Sequence, residues 1–167
     1  FQGDANRVYM NYKQFPKDVN PGETILLDDG KLMFEVLATD KNTEVKTKVI
    51  QGGPLKSKKG VNLPNTKVSL PALTEKDIKD AIFAAGLKVD WMALSFVRTS
   101  EDLEDLHKII REHSEYKIPV IAKIEKPEAV ENIDDIISHC DGLMVARGDL
   151  GVEIPAQEVP LIQKKLV

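Results

Sequence analysis

The chain holds a single cysteine, Cys140, in 167 residues. An internal disulfide is excluded, so stability must come from a packed core, and a reducing compartment, the cytoplasm, is the expected setting. Cys140 itself is expected to pack as a small hydrophobe. Aromatic residues make up only 5%, with one tryptophan, Trp91, expected in the core. The three histidines, His107, His113 and His139, lack metal-ligand spacing, and two of them are expected on helix surfaces. No apolar run reaches the ~20 residues that cross a bilayer, so no membrane association is expected, and no signal peptide is read. Neither sign of charge dominates: 23 Lys and Arg face 27 Asp and Glu, a formal net charge of -4. That argues against a broad basic surface and against nucleic acid as a partner.

What is present divides into two halves with different periods. Up to about Pro71 the pattern alternates in the strand manner. Val8, Met10 and Tyr12 read as one face of a strand. Strands are expected at Thr24 to Leu27, Lys31 to Thr39 and Glu44 to Ile50, joined by Asp28-Asp29-Gly30 and Asp40-Lys41-Asn42. Short strands at this spacing predict a small antiparallel barrel or sandwich. After Pro71 the period becomes helical. Thr74-Glu75-Lys76-Asp77 and Thr99-Ser100-Glu101-Asp102 are capping-box-like helix starts, and Pro127 suits the first turn of a third helix. Apolar strands lie between them: Trp91 to Phe96, Val120 to Glu125 and Gly142 to Asp149. Strand alternating with helix predicts a parallel α/β run. Phe1-Gln2-Gly3 matches the end of a common protease-tag site and is expected to be an expression scar. Leu161 to Val167 reads as a helix cut short, with no C-cap glycine.

The informative feature is how those three strands end. An apolar strand that delivers charge at its carboxyl end is how parallel α/β folds build sites. Lys123 and Glu125 are two apart, so they share a face that Ala122 and Ile124 do not. Asp149 follows Glu125 by 24 residues, one strand-helix repeat, so both carboxylates should end neighbouring strands at one rim. Two carboxylates are a usual protein share for Mg²⁺. Gly148 lets backbone N–H groups approach an anion, and Lys123 adds a compact positive charge. Arg147-Gly148-Asp149 is also the adhesion tripeptide, which fits poorly after an apolar strand. The run Lys56 to Pro64 carries three lysines and reads equally as a solvated loop or a phosphate-facing one.

At these residues the chain resembles the pyruvate kinase family. The shared marks are Ser57-Lys58-Lys59-Gly60-Val61-Asn62-Leu63-Pro64, Thr74-Glu75-Lys76-Asp77-Ile78, Ser95-Phe96-Val97-Arg98, Lys123-Ile124-Glu125 and Met144 to Pro155, in family order. One departure is Lys126-Pro127-Glu128-Ala129, where many members carry an Asn and a Glu-Gly pair. The resemblance implies an α/β fold: a partial TIM (β/α)₈ barrel, about strands four to six, at residues 72-167, and an inserted antiparallel β-barrel lid at residues 1-71 (1-3 being the scar). It implies phosphoryl transfer from phosphoenolpyruvate to ADP, giving pyruvate and ATP in glycolysis. Glu125 and Asp149 would then hold Mg²⁺ or Mn²⁺, and Lys123 would be catalytic. Gly148, Asp149, Ser95, Phe96 and Lys123 would contact substrate, and Lys59 and Asp29 would face the nucleotide as the lid closes.

The parent is expected to be a homotetramer using K⁺, whose ligands lie outside this chain. The isolated chain is expected to be inactive, because half the charge clamp is absent. Three parallel strands without closure leave two open edges, so the second half is expected to self-associate, rearrange or be partly disordered. Two rival readings are a related phosphoenolpyruvate or pyruvate barrel lyase and a non-enzymatic folding or interaction fragment.

Overall fold

A computed structural model describes residues 3-167, and the expected tag residues Phe1 and Gln2 lie outside them. The chain divides into two compact units, one extending to Ser69 and the other running from Leu70 to Val167. Among the described residues no helix is long and apolar enough to cross a membrane.

The first unit is an antiparallel sheet. A helical turn, α1 (Phe15–Asp18), precedes strands β1 (Thr24–Leu27), β2 (Leu32–Thr39), β3 (Val45–Gln51) and β4 (Val61–Asn62), in the order β3-β2-β1-β4. The β1–β2 register runs from Thr24 opposite Glu35 to Leu27 opposite Leu32. The chain reverses there through three left-handed residues, Asp28, Asp29 and Gly30, with φ of 51°, 57° and 79°. Asp tolerates that region better than most side chains and Gly does so without strain. Alternate positions Ile25, Leu27, Leu32 and Val36 turn onto a core with Phe15, Val19 and Leu63. The sheet is open, with β3 and β4 at its edges, so closure into a barrel is not seen among the described residues.

The strand expected at Val8 to Tyr12 does not form. Asp4 Oδ1 accepts from the N–H groups of Asn6 and Arg7 at 2.7 and 2.8 Å, which turns the chain. Val8 and Tyr9 stay exposed, and Met10 and Tyr12 pack against the core from irregular backbone. The Tyr12 hydroxyl donates to Asp18 at the end of α1.

The second unit is a parallel three-stranded sheet, β5 (Met92–Leu94), β6 (Val120–Ile124) and β7 (Gly142–Val145), in that order. Its helices are α2 (Glu75–Gly86), α3 (Ser100–His113), α4 (Pro127–Glu131), α5 (Ile133–Ser138), α6 (Arg147–Glu153) and α7 (Val159–Leu166). The capping box at α2 forms as read: Thr74 Oγ1 accepts from the Asp77 N–H, and the Asp77 carboxylate accepts from the Thr74 N–H. At α3 the Asp102 carboxylate takes the N–H groups of Arg98 and Thr99. One sheet face carries Met92, Leu94, Val120, Ala122 and Ile124, all buried against Leu103, Leu106, Ile110, Ala129, Ile133 and Ile136. The opposite face carries Ala93, Ile121, Lys123 and Met144, and it is only partly covered, with Met144 43% exposed.

Three expectations change here. The third helix is two pieces, broken at Asn132, whose side-chain amide leaves the helix to donate to the Arg98 carbonyl at 3.0 Å. The last strand stops at Val145 and does not reach Asp149; Arg147 to Glu153 is helical. Trp91 is not core: it is 51% exposed, with its ring beside Gly142. At the other end of the sheet, Asp141 accepts from the Val120 N–H at 3.0 Å and pairs with Lys117. Cys140 packs against the core as expected, and burial pushes its thiol pKa up.

Two carboxylates tie the turns of the first unit. Asp40 Oδ1 accepts from the N–H groups of Asn42, Thr43 and Glu44 at 2.8, 2.8 and 2.9 Å. The Glu44 and Asn42 N–H bonds, then those of Thr43, hold its carboxyl far below the ordinary range. Burial pushes the Asp18 carboxyl up, but bonds from the Ser69 N–H, the Tyr12 hydroxyl and the Ser69 hydroxyl outweigh that and leave it lowered. A folded pKa below the unfolded value of about 3.9 stabilises above that pH and is lost as pH falls through the folded pKa. The first unit is therefore expected to lose stability progressively below about pH 4. Carboxyl-carbon NMR titration of the whole chain should give midpoints for Asp18 and Asp40 below about 3.9; a midpoint at or above that value for Asp40 would contradict the role assigned to its bonds.

Candidate functional site

The site begins with the pairing register. Leu94 lies opposite Ala122 in the parallel β5–β6 ladder, so Ser95 comes level with Lys123. Lys123 Nζ donates to Ser95 Oγ at 3.0 Å and lies 2.7 Å from Glu125 Oε1. The same-face reading of Lys123 and Glu125 thus corresponds to a direct ion pair. Glu125 is 1% exposed. A carboxylate removed from water to that degree is costly unless charge and hydrogen bonds replace its hydration. The replacements are the Lys123 ammonium on one oxygen and the Phe96 N–H, at 2.8 Å, on the other.

Phe96 delivers that N–H from a strained backbone, with φ of 54°. For a bulky residue this left-handed conformation costs of order 1 kcal/mol or more and persists only where surrounding contacts impose it. Here the imposing contact is the bond to Glu125, while the ring itself is 47% exposed. Strain at a bond to a buried carboxylate marks a place where geometry has been favoured over local comfort.

The neighbouring strand supplies the rest. Lys123 lies opposite Met144 and Ile124 opposite Val145, and the Ala146 N–H donates to the Ile124 carbonyl at 3.1 Å. That bond holds the start of α6 beside Glu125. Gly148 and Asp149 lie in the first turn of α6, both exposed, rather than at a strand end. The N–H groups of that turn have no acceptor within the helix. A Cβ added at Gly148 would meet nothing within 4 Å, so open space, not packing, surrounds this backbone.

Sequence reasoning missed Lys126 and Glu153. Lys126 Nζ lies 2.8 Å from Glu153 Oε1, with side chains 18% and 1% exposed, joining the residue after Glu125 to the last residue of α6. A signal existed in the chain: Glu153 lies four residues after Asp149, one helical turn along.

In the first unit, Lys59 Nζ pairs with Asp28 Oδ1 at 2.8 Å, and Lys31 reaches the other Asp28 oxygen at 3.4 Å. The bond to Asp28 raises the Lys59 pKa, with Asp29 a smaller contribution, and Lys59 in turn lowers that of Asp28. The direct partner of Lys59 is Asp28, next to Asp29, the residue expected to face the nucleotide with it. Lys56 and Lys58 are exposed. Among the described residues no group of three or more His, Cys, Asp and Glu side chains is clustered to hold a metal.

A family model described as "Pyruvate kinase, barrel domain" matches residues 1–167. The chain is 49% identical over 166 residues to a pyruvate kinase of Corynebacterium glutamicum, covering 99% of this chain and 34% of that protein. It is 50% identical over 166 residues to a pyruvate kinase of Geobacillus stearothermophilus, covering 99% and 28%. It is 46% identical over 166 residues to one of Mycobacterium tuberculosis, covering 99% and 35%. The chain thus spans about a third of the length of the curated relatives it matches.

Removing one member of the buried cluster should be costly. Glu125→Ala leaves Lys123 and the Phe96 N–H without their carboxylate, and is expected to destabilise the second unit by about 2–4 kcal/mol; Ser95→Ala removes one hydrogen bond, about 1 kcal/mol. Urea unfolding followed by tryptophan fluorescence measures both. Equal, near-zero effects would show that the cluster is not held as described.

Proposed function

The chain belongs to the pyruvate kinase family, and we propose that it supplies part of the catalytic rim of an enzyme that transfers the phosphoryl group of phosphoenolpyruvate to ADP. On this reading residues 72-167 are about strands four to six of a (β/α)₈ barrel, and residues up to 71 are the inserted lid. The observation that carries it is the cluster of Lys123, Ser95 and the Phe96 N–H around buried Glu125, at the carboxyl ends of adjacent parallel strands. Barrel enzymes place chemistry at that end.

The carboxylate pair fits a hard divalent cation. The donors are oxygen only, as Mg²⁺ and Mn²⁺ prefer. The Glu125 oxygens accept from Lys123 Nζ and the Phe96 N–H respectively, and each keeps acceptor capacity for a further partner. Asp149 is exposed at the start of α6, whose first residue is tied to β6 through Ala146. Two carboxylates with water and substrate oxygens are a usual Mg²⁺ shell. When bound, the cation supplies charge neutralisation on the phosphoryl oxygens.

The chain's own groups do the rest. Phosphoryl transfer depends on positioning and charge stabilisation more than on covalent chemistry by the protein. Lys123, fixed by Ser95 and Glu125, presents a positive charge from a half-buried position, where it is worth more than in water. The N–H groups of Gly148 and Asp149 would receive the substrate carboxylate, and the exposed Phe96 ring would shape the pyruvate pocket. Lys59 and Asp29 would contact the nucleotide. A K⁺ requirement, a homotetrameric parent and a cytoplasmic location belong to the same proposal. A lyase barrel is not favoured, because the family match includes the antiparallel residues as well as the parallel run.

Two measurements test this. In the full-length protein, Lys123→Met is expected to lower kcat by at least ~100-fold with little change in KM, the pattern of a group acting in the transition state. A KM effect alone would count against it. The isolated chain is expected to show no turnover in a coupled assay with phosphoenolpyruvate and ADP, and turnover would show that the remaining strands are dispensable.

A further inference from the structure

We propose that the buried Lys126–Glu153 ion pair is a positioning device that sets the direction in which α6 presents Asp149 beside Glu125. The proposal rests on the assignment of Glu125 and Asp149 as the cation-binding pair.

Pro127 constrains the backbone just before it. Its ring disfavours the helical region for the residue before it, which pushes that residue to extended backbone. Lys126 is extended, with φ of −121° and ψ of 145°. Successive side chains of extended backbone point to opposite sides. Glu125 turns toward Lys123 and the Phe96 N–H, and Lys126 turns the other way, to Glu153. One short segment therefore engages two separate parts of the site.

On α6, Asp149 and Glu153 are four residues apart and share a face, one turn along. A helix of seven residues is too short to be stable by itself, so its orientation depends on what it is fastened to. The fastenings include the Ala146 N–H bond to Ile124 at the start, fully buried Leu150 and the Val159 side chain against Gly151 in the middle, and Glu153 at the end. Leu150 fixes which side faces the core but permits rolling about an apolar contact. The ion pair is directional, and by holding Glu153 it fixes the rotation of the helix, hence where Asp149 lies relative to Glu125. Neither Lys126 nor Glu153 is assigned contact with substrate or cation, so both act through Asp149.

The test uses this chain, with Mn²⁺ as the probe and free Mn²⁺ followed by electron paramagnetic resonance. Lys126→Met and Glu153→Gln are each expected to weaken Mn²⁺ binding about tenfold, and Lys126→Arg, which can remake the pair, by no more than about threefold. The double variant Lys126→Met/Glu153→Gln is expected to be no weaker than either single one, because two residues acting as one unit are non-additive. Melting by circular dichroism separates this from general loosening. Single variants that lower the melting temperature but bind Mn²⁺ within about twofold of the unaltered chain would overturn the proposal. If the single variants do not fold, the double variant, which leaves no buried unpaired charge, decides by the same twofold criterion. Glu125→Gln and Asp149→Asn locate the fault. If they abolish Mn²⁺ binding while Lys126→Met does not weaken it, the positioning role alone fails. If they leave Mn²⁺ binding unchanged, the cation-site assignment fails and the positioning role with it.

Discussion

A carboxylate cannot be taken out of water without something to replace its hydration, and Glu125 is almost completely buried. Much of the second unit answers that requirement. The register of β5 against β6 brings Ser95 to Lys123, Lys123 reaches Glu125, and the backbone at Phe96 enters the left-handed region to offer its N–H. None of these features is explained by its own local preference. A lysine would sooner be solvated, and a phenylalanine would sooner avoid positive φ. Together they make one satisfied cluster, in which each strained or desolvated member is compensated by its neighbour.

The parallel sheet makes that cluster possible. Its two faces are chemically distinct because side chains alternate. Ala122 and Ile124 are fully buried on the helix side, and between them Lys123 emerges on the opposite face. The short helices after β6 and β7 then carry polar groups as well as core residues. Lys126 and Glu153 join those two segments, so the end of one strand is tied to the helix that follows the next.

Much of this was legible in the residues. Three antiparallel strands, the capping box at Thr74 and the shared face of Lys123 and Glu125 follow from local patterns that tertiary contacts did not override. The failures are equally physical. Val8 to Tyr12 alternates like a strand, but Asp4 bends the chain with side-chain bonds that periodicity cannot register. Gly142 to Asp149 looks like one apolar strand ending in charge, yet helical hydrogen bonding takes over at Arg147. Asn132 interrupts a helix because its amide has a better partner in the Arg98 carbonyl. Trp91 was expected inside, and it sits on the sparsely covered side of the sheet. The Lys126–Glu153 pair joins residues distant in sequence, and only the place of Glu153 one turn after Asp149 was readable from the chain.

Asp141, at the opposite end of the same strands, accepts from the Val120 N–H and pairs with Lys117. Strand β6 is five residues long, so roughly 15 Å separates that pair from the Glu125 end. At physiological salt the screening length is about 8 Å. Charge changes at Lys117 or Asp141, about three residues or ~10 Å along the strand from Lys123, therefore reach it weakened rather than in full. Protein engineers can retune surface charge, solubility or tethering at the lower end with a muted effect on the field at the upper one.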